Sequence, residues 1–181
     1  CPALDWAVCI CKLFSGLIEM FPSELTELTS ELIAKCRDAG VKIATAESCT
    51  GGLIAGCLTA VSGSSDVFER GFNTYSNEAK NEMLGVPLEL INEHGAVSES
   101  VAGAMAEGAL KNAPVQLTVA VTGVAGPGGG SAEKPVGTVQ IASACEGKST
   151  INERFLFEGD RDAVRQATVK TALDMMLRQV S

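Results

Sequence analysis

A run rich in β-branched residues and alanine, 41–46, stops at the polar bend Glu47-Ser48-Cys49-Thr50, and Gly51-Gly52 then open an apolar helical stretch at Leu53. A buried strand that turns straight into a helix is the building unit of an open α/β sheet, and such sheets take ligands in the crevice beyond the carboxyl ends of their strands. The first helical turn also leaves N–H groups without intrahelical partners, which suits an oxyanion or a phosphate. Ser48, at the break, is therefore a candidate nucleophile. The same residues allow a second reading in which Glu47, Ser48 and Thr50 cap the helix, the ordinary task of such side chains at a helix start.

The flanking sequence extends the pattern. Ser23 is placed to cap a helix that carries Leu25, Leu28, Leu32, Ile33 and Cys36 on one face and ends at Gly40. After the helix 51–61, a turn at 62–65 leads to a strand near 71–76. Asn77 caps a helix to Leu84, and Pro87 starts another that stops at His94-Gly95. Ser98 opens an alanine- and glycine-rich helix to Asn112, small-faced enough to lie against a sheet or a second subunit, and a homo-oligomer is expected. The run 115–122 is nearly continuous in apolar residues, which predicts a central, parallel strand. Strands 136–145 and 149–157 form a hairpin around Glu146-Gly147-Lys148, and Asp160 caps the last helix. The order predicts an α/β fold, a three-layer α/β/α sandwich on a mixed sheet.

With 181 residues the chain suits one well-filled core. Residues 1–21 are set apart as an extra segment, either a terminal helix or an addition before the true start, and 22–181 form a single domain. The apolar run from Trp6 to Ile18 is too short to span a membrane and is broken by Lys12 and Gly16. A net charge of −8 without clustered Lys and Arg argues against a nucleic-acid surface. Seven cysteines at irregular spacings read as reduced, buried thiols of a cytoplasmic protein. With one close cysteine pair and one histidine, no metal or other cofactor is expected.

Several motifs fail on inspection. Gly147-Lys148-Ser149 resembles the end of a Walker A loop, but the glycine needed five residues earlier is Ala142 and a hairpin follows. Residues 123–130 lack the Gly-x-Gly-x-x-Gly spacing, and no Gly-x-Ser-x-Gly elbow is present. A serine nucleophile needs a base, and His94 beside Gly95 is better explained as a helix C-terminal residue. A lysine serves if burial lowers its pKa, with a tyrosine relaying the proton. Tyr75 and Lys80 fit that need, although spacing alone favours reading them as a core aromatic and a solvated helix lysine. The loop 123–137 is the other unusual stretch: its glycines let main-chain N–H groups approach an anion and Lys134 adds a cation, whereas a plain flexible connection is the alternative.

Taken together, TAESCTGG (45–52), GSSDVFERGFNTYSNEAK (63–80), LGV (84–86), HGAVSE (94–99), TGVAGPGGGSAEKPVGTV (122–139) and GDRDAVRQ (159–166) resemble the C-terminal domain of the competence/damage-inducible protein CinA. That family includes stand-alone nicotinamide-nucleotide amidases. The resemblance implies hydrolysis of the carboxamide of nicotinamide mononucleotide, with Ser48 as nucleophile and Tyr75 and Lys80 handling its proton, in a form without the larger N-terminal domain of full-length CinA. It makes a small nucleotide the expected partner. Glu47, Thr50, Gly51, Thr122, Gly123, Gly126, Gly128, Gly129 and Lys134 are the substrate-binding candidates, with N–H groups around Ser48 and at Thr122–Gly123 as oxyanion donors. Arg161 and Arg165 are the alternatives for the phosphate. The competing readings are a non-catalytic nucleotide-binding or regulatory domain, and a serine amidase for another small amide.

Overall fold

The computed structural model describes residues 20–180. The expectations for residues 1–19, including Cys1, Cys9 and Cys11, lie outside the described residues. Phe21, on the far side of the expected boundary at 21/22, is buried and lies against Gly56.

The chain runs α1 (Ser23–Ala39), β1 (Ile43–Glu47), α2 (Leu53–Thr59), a 3-10 turn (Ser64–Asp66), β2 (Phe68–Asn73), α3 (Asn77–Leu84), α4 (Leu88–His94), α5 (Glu99–Asn112), β3 (Leu117–Gly123), β4 (Thr138–Cys145), β5 (Ile151–Leu156) and α6 (Arg161–Val180). The sheet order is β2-β1-β3-β4-β5. β1 is parallel to β2 and β3, while β3–β4 and β4–β5 are antiparallel. The mixed three-layer α/β sandwich is as expected, and β3 is central. It is parallel on one side only, because β4 returns directly through a loop with no crossover helix.

Strand alternation sorts the two faces by size. Ile43, Leu117, Val119, Val121, Val139 and Ile141 join the core beneath α1, α2 and α6. Ala46, Ala120, Ala142 and Ala144 form the other face, against Val101, Met105 and Ala106 of α5. Small residues let α5 sit close enough for the Thr118 hydroxyl to donate to the Ala106 carbonyl at 2.8 Å. A side chain on Gly108 would collide with the Leu84 carbonyl, so glycine also brings α3 and α5 together.

Local details differ from expectation where polar side chains compete for a terminus. α1 starts after Pro22 without a side-chain cap, and Ser23 is its first residue. Ser76, not Asn77, caps α3 by accepting from Ala79 at 3.0 Å. β2 lies three residues earlier than expected, at Phe68–Asn73, because it pairs with β1 from Ile43 onward. Ser98 and Asp160 cap α5 and α6 as their sequences indicate.

Candidate active site

The parity of β1 decides which way the two residues at its end point. Glu47 shares the face of Ile43 and Thr45 and turns toward α2, where its carboxylate is closed off. Oε2 accepts from the Thr50 hydroxyl (2.6 Å) and from the N–H of Gly52 and Ile54 (both 3.0 Å), and Oε1 from the N–H of Ala55 (2.9 Å). The anion site at this helix start is thus occupied by the chain's own carboxylate. Ser48 keeps the strand pattern through its N–H, which donates to the Val121 carbonyl at 3.1 Å, and its side chain falls on the opposite face.

There it meets Lys80, from the first turn of α3. Nζ lies 3.2 Å from Ser48 Oγ and also donates to the carbonyls of Thr74 (2.9 Å), Ser76 (3.4 Å) and Tyr75 (3.5 Å). Lys80 is 1% exposed and Ser48 8%. Burial pulls the Lys80 pKa below its ordinary 10.5, partly opposed by Cys49 and Glu78. Burial also pushes the neighbouring Cys49 thiol up to about 11, which favours its protonated form at neutral pH.

Ser48 and Lys80 open into a cleft of about 230 Å3 lined also by Cys49, Tyr75, Asn77, Ala96, Val97, Thr122, Gly123, Ala125 and Arg161. Thr122 holds the Ala96–Val97 wall, its hydroxyl donating to the Ala96 carbonyl at 2.9 Å. Arg161 brings the first residue of α6 to the mouth. Its guanidinium donates to the Gly126 carbonyl (2.8 Å) and to the Tyr75 hydroxyl (3.4 Å).

The expected site residues divide accordingly. Ser48, Lys80, Thr122 and Gly123 converge. Tyr75 is at the mouth, 66% exposed: Thr74 occupies the inward position, so the next side chain points outward, and the phenol meets Arg161 rather than Ser48 or Lys80. Glu47 and Thr50 are buried and bonded to one another, which removes them from the substrate surface. Gly51 is exposed beside Arg165, whose guanidinium donates to the Thr50 carbonyl. Gly126 offers its carbonyl to Arg161, and Gly128 and Gly129 stand on the exposed part of the loop, off the cleft.

Lys134 is not at the cleft either. Its ammonium donates to the His94 carbonyl at 2.8 Å, where a cation complements the C-terminal end of α4. It borders a separate, larger groove of about 670 Å3 along α5, with Ser98, Glu107, Gln140 and Asn152. The paired hydroxyl and amine of Ser48 and Lys80 lie in the smaller cleft, not in this groove. Sequence reasoning passed over Asn77, Ala96 and Val97, although Ala96 and Val97 stand inside the HGAVSE stretch. Cys36, Cys49, Cys57 and Cys145 carry free thiols. Among the described residues no cluster of His, Cys, Asp and Glu could hold a metal ion, and no helix is long and apolar enough to cross a membrane.

Known proteins share this arrangement of elements. The crystal structure of the competence/damage inducible protein CihA from Agrobacterium tumefaciens matches with a TM-score of 0.89 at 46% identity, covering 91% of this chain and 100% of that one. The nicotinamide-nucleotide amidohydrolase PncC of Escherichia coli (strain K12) is 49% identical over 160 residues, 88% of this chain and 97% of that protein. A CinA-like protein of Citrifermentans bemidjiense is 53% identical over 159 residues, 88% of this chain, but the match spans only 38% of that protein's length. The family model described as the CinA C-terminal domain matches residues 25–180. The chain belongs to the CinA C-terminal domain family.

Proposed function

We propose that this chain is an amidohydrolase that converts nicotinamide mononucleotide to nicotinate mononucleotide and ammonia, with Ser48 as nucleophile and Lys80 as base. One observation carries the chemistry: a buried lysine amine 3.2 Å from a serine hydroxyl at the floor of a cleft. The substrate follows from the likeness to the PncC amidohydrolase over most of both chains.

Burial lets Lys80 be neutral, and a neutral amine has a lone pair for the Ser48 proton while its remaining hydrogens stay on main-chain carbonyls. The hydroxyl then attacks the carboxamide carbon, ammonia departs, and water releases the acyl group with Lys80 again taking the proton. Arg161 is the charged group at the mouth and has donors beyond those it gives to Gly126 and Tyr75, which suits the phosphate of the mononucleotide.

The test is ammonia release from nicotinamide mononucleotide compared with its riboside and free nicotinamide. Preference for the phosphorylated compound is expected. Turnover of none of them, with retained nucleotide binding, would favour a non-catalytic binding domain, and turnover confined to another small amide would change the substrate while keeping the Ser48–Lys80 chemistry.

A further inference from the structure

The ladder between β1 and β3 stops one rung early, and the group it leaves over belongs to a residue that lines the cleft. Odd-numbered residues of β3 bond toward β1: Leu117 donates to the Lys42 carbonyl at 3.2 Å, and the Val121 carbonyl accepts from Ser48 at 3.1 Å. Even-numbered positions bond toward β4, as Val124 does just past the strand in donating to the Thr138 carbonyl at 2.8 Å. By this alternation the N–H of Gly123 lies on the β1 side, and the regular parallel ladder would next join it to the Ser48 carbonyl. The chain bends after Ser48 instead, and that carbonyl accepts from Gly51 at 3.1 Å.

Among the other main-chain donors near the nucleophile, those of Cys49 and Thr50 lie against the Cys49 sulfur, and four more are committed within the chain. Ser48 gives its N–H to Val121, and Gly52, Ile54 and Ala55 give theirs to the Glu47 carboxylate. Gly123 lines the same cleft as Ser48 and Lys80. A side chain there would meet the Thr138 carbonyl and Val139 at 2.8 Å, so glycine is what lets the main chain pass this close to β4.

We propose that the main-chain N–H of Gly123 is the oxyanion donor for amide hydrolysis at Ser48, the substrate oxygen completing the rung that the Ser48 carbonyl vacates. The inference rests on the serine-amidase reading above. In the addition step Ser48 Oγ bonds to the carboxamide carbon, its proton passes to neutral Lys80 Nζ, and the C=O π pair withdraws to the oxygen, which accepts from Gly123. Collapse re-forms the C=O and breaks the C–N bond, and the nitrogen leaves as ammonia with the proton returned from Lys80. A donor fixed in a central strand needs no reorganisation when the charge develops.

Two measurements on the full chain test this. Replacing the Thr122–Gly123 amide by an ester, through semisynthesis, removes the one N–H and should lower kcat by roughly 10²–10³ with little change in KM. A variant that turns over within about threefold of the parent would overturn the proposal and leave the amidase reading standing. The second measurement needs no altered backbone. The chain has two Thr-Gly steps, 50–51 and 122–123, so carbonyl-labelled threonine with 15N-glycine yields two amide signals. On addition of pyridine-3-boronic acid, whose boron forms a tetrahedral adduct with Ser48, the Gly123 proton should move downfield and the Gly51 proton should stay. Movement of Gly51 alone, or of neither with the adduct formed, overturns the proposal. No adduct and no turnover by the parent would remove the serine reading, and this inference with it.

Discussion

The bends after β1 and β3 lie side by side at one edge of the sheet, both rich in glycine, and they treat their polar groups in opposite ways. After β1, the chain closes on itself: Glu47 collects a hydroxyl and three N–H groups and turns the start of α2 into a sealed joint. After β3, the chain is tied by carbonyls. Gly126 accepts from Arg161 and Glu133 from Arg154, while Lys134 of the same loop reaches out to His94. Glycine content and a helix start therefore do not by themselves mark an anion site. What marks it is which donors remain uncommitted once the internal partners are counted. By that measure the start of α2 is closed to a ligand, although glycine and a helix start coincide there.

The largest effects should come from the chemical pair. Ser48→Ala should reduce hydrolysis to background while leaving the melting temperature and nucleotide binding near those of the parent; turnover within a few-fold would sink the acyl-enzyme step. Lys80→Met should be nearly as damaging. Because the base acts only when neutral, kcat/KM of the parent should rise with pH to a plateau, with a midpoint below the ordinary lysine value of 10.5. A profile flat across the range in which Lys80 titrates would remove it as the base.

Glu47 separates holding the site from performing the reaction. Glu47→Ala leaves a buried hydroxyl and three N–H groups without their acceptor, at about 1–3 kcal/mol for each group that water cannot reach. Urea unfolding should show a loss of roughly 3 kcal/mol or more. Retained stability with lost activity would instead place this carboxylate in the chemistry.

Arg161→Ala comes next. A charge-assisted contact is worth about 1.5–3 kcal/mol, so KM for the mononucleotide should rise roughly ten- to a hundredfold with a smaller change in kcat. The preference over the riboside should shrink in step. An unchanged preference would put the phosphate elsewhere in the cleft.

Much of this was legible in the sequence because local rules and tertiary demands agree there. The apolar run 115–122 could only be central, and Ser98 and Asp160 cap their helices as such residues do. Ser48 and Lys80 stand at a strand end and in a first helical turn, so their convergence follows from the topology. What could not be read is partner choice. Nothing local tells that Glu47 turns under α2 while Ser48 turns toward α3; that depends on which face β1 gives each residue, and register is settled by the packing of large and small side chains across the sheet. Tyr75 falls outward for the same reason, one residue beyond the buried Thr74.

Lys134 gives the sharpest test of the contrast because its expected effect is the smallest. On sequence alone it is the cation of a glycine loop delivered to the edge where Ser48 sits, and a phosphate contact would be natural. In the fold its ammonium is taken by the His94 carbonyl at the end of α4, on the groove along α5 and off the cleft. A cation at a helix C-terminus contributes about 0.3–1 kcal/mol, so Lys134→Ala should lower stability by that amount and move KM by no more than about twofold. Arg161→Ala, measured beside it, should leave stability nearly unchanged and raise KM. If the two exchange roles, with Lys134→Ala raising KM tenfold or more and Arg161→Ala leaving it alone, the glycine loop binds the phosphate after all. The β3 bend would then be an anion site built from its own residues, with α6 merely bracing it.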